Sequence, residues 1–243
     1  MVTQGPGAAK LGDRGRLSYT GGMTIPHPTT LHLVRHGEVD NPACIFYGRL
    51  PRYALGAEGR AQAVAAARLL ANEPVSAIYS SPMLRARQTA RAIAGQHRGR
   101  RVQVSSLLNE VNVPLEGRPL EEGIAANWDL YTGNLPPYEV PATILARMLR
   151  FVLLCLRRHA GQTVVGVTHG DPIAFLMLWA WGMPVTTELK TPMYRDYLET
   201  ASITTFEYGG ELTGLPTVRY TRWSDRELSR KVAGPQAGGG LTP

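Results

Sequence analysis

The chain has 243 residues, 44% of them hydrophobic and 19% charged, with a net charge of +7. That is the composition of an ordinary soluble globular protein with one substantial core. A basic surplus can serve nucleic acid, membrane surfaces or small anions, but here residues 1–26 carry +2 and residues 219–243 carry +3 of it. Charge placed mostly near the ends reads as solvated termini rather than a nucleic-acid footprint.

Residues 1–26 are expected to be a Gly-rich flexible extension without the apolar core of a secretion signal, and Met23 is a candidate start of the folded product. β-type runs then recur at Leu31–Val34, Val75–Tyr79, Val102–Val104, Val164–Val167, Ile203–Tyr208 and Val218–Trp223. Between them, helical patterns cover Ala57–Asn72, Leu84–Gln96, Pro141–Ala160 and Asp171–Gly182. Gly56 and Gly59 read as turn residues around the first helix start, Gly161 as the stop of the third helix, and Asp171 as the N-cap of the fourth, with Pro172 at its first position. Alternating strands and helices predict an α/β fold: a three-layer α/β/α sandwich with a mostly parallel central sheet. The folded domain is expected over 27–228, followed by a flexible tail at 229–243. Residues 109–140 break the pattern with Pro, Gly, Asn and acidic residues, as a functional lid or a disordered linker would. Cys44 and Cys155 are too few and too far apart for a disulfide framework or structural metal site, and fit a reducing cytoplasm. No apolar run approaches the roughly 18 residues of a membrane helix, so no membrane partner is expected.

In an α/β sheet, ligands bind beyond the C-terminal ends of the strands, and four strands are followed by chemistry. Arg35, His36 and Gly37 follow the first. Arg85 and Arg87 follow the second, in the opening turns of a helix. Glu110 follows the third, within "SLLNEVNVPLEG", and Thr168, His169 and Gly170 follow the fourth, in "THGDP". Phosphoryl transfer would unite them, because phosphate oxygens need fixed cations and N–H donors throughout the reaction. Arginine offers a planar fork of donors, and Gly170 an approachable N–H at a helix start. A neutral imidazole can act as nucleophile and a carboxylic acid can protonate the leaving oxygen. No metal-ligand spacing is visible, and no cofactor is expected.

Four segments in order, "LVRHGEVDNP", "LGAEGRAQA", "IYSSPMLRARQTA" and "VVGVTHGDPI", resemble the histidine phosphatase superfamily, phosphoglycerate mutase-like branch, over roughly residues 30 to 210. The resemblance implies that His36 is phosphorylated, that Arg35, Arg85 and His169 clamp the phosphate, and that Glu110 donates the proton. It makes Asn41 a phosphate or substrate contact. The family's acid often stands in a different local pattern, so Glu116 is a rival to Glu110. Arg49 is a candidate substrate contact or loop salt bridge, and Arg87 a helix-face residue.

The leading expectation is a metal-independent phosphomonoester hydrolase acting through a phosphohistidine on a small phosphorylated metabolite. The alternatives are a cofactor-dependent phosphoglycerate mutase and a non-catalytic phosphate-binding module. A mutase needs a closed basic pocket for two phosphates, whereas residues 109–140 hold Glu110, Glu116, Glu121, Glu122, Asp129 and Glu139 against Arg118 alone. That lid favours hydrolysis.

Overall fold

The computed structural model describes residues 28–190, 197–209 and 215–224. The expected extension over 1–26 and tail over 229–243 lie outside these residues. Six strands form one sheet: β1 (Thr29–Arg35), β2 (Val75–Ser80), β3 (Val102–Val104), β4 (Thr163–Thr168), β5 (Ile203–Tyr208) and β6 (Thr217–Thr221), in the order β3-β2-β4-β1-β5-β6. β3, β2, β4 and β1 run parallel, while β5 pairs antiparallel with both β1 and β6. The sheet is therefore mixed, with β5 alone reversed. This agrees with a mostly parallel sheet.

Helices cover both faces. α1 (Ala57–Leu70) and α2 (Leu84–Ala94) pack on one, against Val34, Ile78, Val165 and Val167. Their buried stripes are built largely from alanine, the best helix former, at Ala63, Ala66, Ala67, Ala86 and Ala90. Such small side chains let α1 and α2 lie close together. On the other face sit α4 (Pro141–Arg158) and α5 (Gly170–Ala180), against Leu31, Leu33, Tyr79 and Val164. α4 is amphipathic, burying Ile144, Met148, Phe151, Val152 and Cys155 at helical spacing. It starts with Pro141, and the Thr143 hydroxyl accepts the Val140 N–H at 3.0 Å. Leu31 and Leu33 point to one layer and Val34 to the other, the period-2 alternation of a strand covered on both sides. In β2 a register shift between Val75 and Ala77 places Val75 and Ile78 on one face and Ala77 and Tyr79 on the other.

Three short elements lie outside the expected set: a 3-10 turn at Ser106–Leu108, α3 (Leu120–Ala125) and α6 (Thr187–Lys190). Two details of helix starts also differ from expectation. α5 begins two residues early, at Gly170 rather than Pro172, with His169 as N-cap. Asp171 does not cap it, because its carboxylate accepts from Lys190 Nζ at 2.7 Å, from Tyr197 at 2.6 Å and from Tyr131. Gly56 is the N-cap of α1, but Gly59 lies inside the helix and is buried. There a Cβ would sit 1.9 Å from the Glu38 carbonyl oxygen, and one on Gly37 would sit 2.3 Å from that of Gly59. Gly59 is a close-approach residue, seating the loop after β1 on α1. No helix among the described residues is long and apolar enough to cross a membrane.

Candidate active site

Parallel pairing makes the site. β1 and β4 are in register with Arg35 opposite Thr168, so the next residues, His36 and His169, emerge side by side, their rings 5.1 Å apart. The His36 N–H donates to Thr168 O at 3.0 Å, extending the ladder into the site. β2 ends beside them and delivers Ser81 and then Arg85 on the first turn of α2. Because β5 is antiparallel, its entry rather than its exit lies at this edge, bringing Tyr197 and Leu198 against Arg35. The Arg35 guanidinium lies 4.8 Å from the Tyr197 ring centre and donates to Leu198 O.

Arg85 is fully buried and is the hub. Its Nε–H points at His36 Nε2 (3.1 Å), and Nη2 lies near Gly48 O (2.8 Å), His169 Nδ1 (3.2 Å) and Glu110 Oε2 (3.3 Å). Nη1 has no protein partner, and a buried unsatisfied donor is costly unless a ligand takes it. Tyr47 stacks 4.6 Å from the guanidinium. The Thr89 hydroxyl, bonded to Arg85 O, accepts the Gly37 N–H at 3.1 Å and so ties α2 to the loop after β1.

The histidine tautomers follow from their partners. His36 Nδ1–H donates to Gly37 O at 2.8 Å, leaving Nε2 unprotonated, with its lone pair facing the Arg85 Nε–H. His169 Nδ1 lies 3.1 Å from Glu110 Oε2, and Nε2 lies 2.8 Å from the Ser81 hydroxyl. A proton on Nδ1 satisfies Glu110 and lets Ser81 donate to Nε2. Burial, reinforced by Arg85, His169 and Arg35, holds His36 well below the ordinary histidine range. Burial likewise pushes His169 down to about 4, with Glu110 opposing and Arg85 adding to the drop. Both imidazoles are therefore neutral near pH 7. Burial alone would raise the Glu110 carboxyl, but the His169 hydrogen bond and the Arg85 charge outweigh it and hold the group well below the carboxylate range.

A cavity of about 300 Å³ opens from these groups, lined among others by Arg35, His36, Glu110, Glu116 and Gly170. Arg49 and Asn41 do not line it. Arg49 holds the acid's segment instead: Nε donates to Glu110 O at 2.7 Å, and Nη2 pairs with Glu139 at 2.9 Å. Glu139 in turn pairs with Arg147 at 2.7 Å. Asn41 spends its amide on its own loop, donating to Ile45 O at 2.9 Å. Glu116 accepts the Arg49 backbone N–H and faces the cavity. Arg87 is half-buried outside it. Sequence reasoning missed Tyr47, Ser81, Thr89 and Tyr197. Of these, only Ser81 and Thr89 lay within a motif already singled out.

His36, Glu110 and His169 present ligand atoms within 4.8 Å of one another, a donor set that could hold a metal ion. Arg85 stands among them, 3.1 to 3.3 Å from each, and a fixed guanidinium there opposes a second cation. The same position suits a phosphate.

Comparison with known proteins identifies the family and the fold. Residues 31–220 match the family model of the histidine phosphatase superfamily (branch 1), and the chain belongs to that family. It is 37% identical over 194 residues to the uncharacterized protein Rv0525 of Mycobacterium tuberculosis, covering 77% of this chain and 94% of that one. Among solved structures it is similar to YhfR of Bacillus stearothermophilus, with a TM-score of 0.67 and 26% identity over 79% of this chain and 96% of that one. It is also similar to a mycobacterial glucosyl-3-phosphoglycerate phosphatase, with a TM-score of 0.65 and 25% identity over 81% and 99% of the two chains.

Proposed function

We propose that the protein hydrolyses phosphomonoesters through a phosphohistidine at His36, without a metal. One observation carries this reading: the single guanidinium of Arg85 reaches a nucleophile, a second imidazole and a carboxylate within 3.1 to 3.3 Å. Those groups surround one phosphate-sized locus. A bound phosphoryl group takes donors from Arg85, Arg35 and His169. His36 Nε2 attacks phosphorus while the bond to the ester oxygen breaks, and the alcohol leaves with a proton from Glu110. Water then attacks the phosphohistidine, gives a proton back to Glu110, and releases inorganic phosphate.

Glu110 is ionised in the free enzyme, so its proton must come with substrate. The phosphate draws Arg85 and His169 away from the carboxylate and adds negative charge beside it, and both effects raise its pKa. A phosphomonoester monoanion, whose second pKa is about 6, carries the proton needed. Glu110 is the acid rather than Glu116, because it contacts Arg85 and His169 while Glu116 lies exposed at the cavity's outer part.

Hydrolysis is favoured over mutase chemistry, but for a different reason than an acidic lid. Glu122 pairs with Arg118, Glu139 with Arg49 and Arg147, and the Asp129 carboxylate accepts the Tyr131 and Thr132 N–H groups. Beyond the clamp, the described residues facing the cavity are mostly apolar and include no further cationic side chain to hold a second phosphate. Two free cysteines, one of them buried, suit a cytoplasmic enzyme. The test is a rapid quench with 32P-labelled substrate. Wild type should yield an acid-labile, base-stable labelled protein, and His36→Ala none. Stoichiometric label on the alanine variant would remove His36 from the role.

A further inference from the structure

We propose that Glu139 sets the position of the acid: through Arg49 and Arg147 it holds residues 107–112 so that the Glu110 carboxyl meets the leaving oxygen. The inference rests on the phosphatase reading above and adds to it a residue that does not touch the substrate. Glu139 is not among the residues that line the cavity.

Residues 109–113 belong to no helix or strand, so no ladder fixes where Glu110 points, and the backbone groups there need other partners. Leu107 O accepts from Arg147 Nη1 at 3.0 Å, and Leu108 O from the Thr168 hydroxyl at 2.8 Å. Glu110 O accepts from Arg49 Nε at 2.7 Å. The Asn112 N–H donates to the Glu139 carboxylate at 2.9 Å, and Asn112 O accepts the Glu139 N–H at 2.8 Å. Apart from Thr168, each of these partners is Glu139 or an arginine bound to it.

The Glu139 carboxylate is shared among these groups. Its Oε1 accepts from Arg147 Nε at 2.7 Å. Its Oε2 accepts from Arg49 Nη2 and the Asn112 N–H, both at 2.9 Å, and from Arg147 Nη2 at 3.3 Å. Two donors from one guanidinium on one carboxylate fix geometry as well as charge. Arg147 stands on α4 beside the buried Met148, which anchors the chain of bonds in the core. At the other end Arg49 follows Gly48, whose carbonyl accepts from Arg85 Nη2 at 2.8 Å. One carboxylate thus ties the acid's segment to α4 and to the loop beside the phosphate hub. Without it the two guanidiniums repel each other, and their hold on the Leu107 and Glu110 carbonyls loosens. A general acid works only within hydrogen-bond reach of the proton's destination, so a small release of this segment costs rate while every group that touches the substrate remains.

The experiment compares kcat/KM on the full chain for 2-phenylethyl phosphate, whose alkoxide needs a proton to leave, and 4-nitrophenyl phosphate, whose phenolate needs little. Glu139→Ala should lower the first about tenfold to a hundredfold, the effect of an ångström or less of misplacement, and the second much less. A loss of folded protein lowers both alike, so the ratio separates positioning from stability. Glu139→Gln, nearly isosteric and gentler on folding, should shift the ratio in the same direction, because its amide turns a donor toward an arginine. In a Glu110→Gln background, Glu139→Ala should leave the ratio unchanged, since the acid that it places is gone. Equal losses for the two esters in both Glu139 variants, or a ratio that still moves without the Glu110 carboxyl, would overturn the positioning role while leaving the phosphatase reading standing. Failure of the wild type to hydrolyse either ester, with no label on His36, would overturn both.

Discussion

Arg85→Lys separates the charge of the hub from its shape. Lysine keeps the positive charge but replaces five donors in a rigid fork with three on one nitrogen. In the structure Nε and Nη2 already face four protein atoms and Nη1 is unpartnered, so the fork can hold the site together and still donate to a phosphate oxygen. One ammonium cannot do both. Losing one preorganised donor to a charged transition state costs about 10²–10³ in rate, or ~2.7–4 kcal/mol, and that is the expected fall in kcat/KM. Arg85→Met goes further by removing the charge. After burial, Arg85 is the largest cause of His36's lowered pKa, so its loss lets that pKa rise. The acid limb of the rate profile should then move to higher pH in the methionine variant and stay in place in the lysine variant. Gly48 O also loses its donor, which costs about 1–3 kcal/mol of stability, so melting curves must accompany the kinetics. The assay is kcat/KM for one primary-alcohol ester from about pH 4 to 9. A lysine variant within tenfold of wild type, or a methionine variant with an unmoved acid limb, would refute this role for Arg85.

Three further outcomes are expected. Glu110→Gln should depress turnover of alkyl phosphates far more than that of 4-nitrophenyl phosphate, whose leaving group needs little protonation; equal losses, or a larger effect in Glu116→Gln, would transfer the acid's role. Wild-type kcat/KM should fall as pH rises above about 6, because the required proton arrives on the substrate, while the acid limb lies lower because His36 and His169 are both depressed; a flat profile between pH 6 and 8 would contradict proton delivery by substrate. Activity should survive EDTA, since Arg85 occupies the space a cation would need, and loss on chelation with recovery on adding magnesium would show otherwise.

What could be read from the sequence was whatever depends on a strand and its end. Parallel neighbours in register align their exits, so a strand-end Arg-His-Gly and a strand-end Thr-His-Gly become neighbours once the strands pair. Arg85 was legible for the same reason, in the first turn of the helix that follows β2. The contacts of Arg49 and Asn41 were not, because they depend on how two irregular loops fold back on each other, and no periodicity marks that. Tyr197 escaped notice because β5 is reversed. An antiparallel strand and a parallel one show the same alternation, and only the reversal brings the residues before it, not after it, to the site. Asp171 looked like a helix cap because its local pattern allows one, but Lys190, 19 residues on, and the two tyrosines claim its carboxylate.

The seat between Gly37 and Gly59 has a consequence for how this chain can vary. Gly59 is not among the residues that line the cavity and bears no functional group, so an inspection of the pocket would pass over it. Yet a methyl group there would collide with the Glu38 carbonyl, two residues after the nucleophile, and the cheapest relief is to push that loop outward. His36 Nδ1 is oriented by the Gly37 carbonyl, so the push would turn the imidazole off the phosphate locus. The tolerance of position 59 is thus set by the chemistry at position 36 as well as by helix propensity, which favours alanine over glycine. A helix-stabilising exchange at this point would strengthen α1 and misalign the nucleophile.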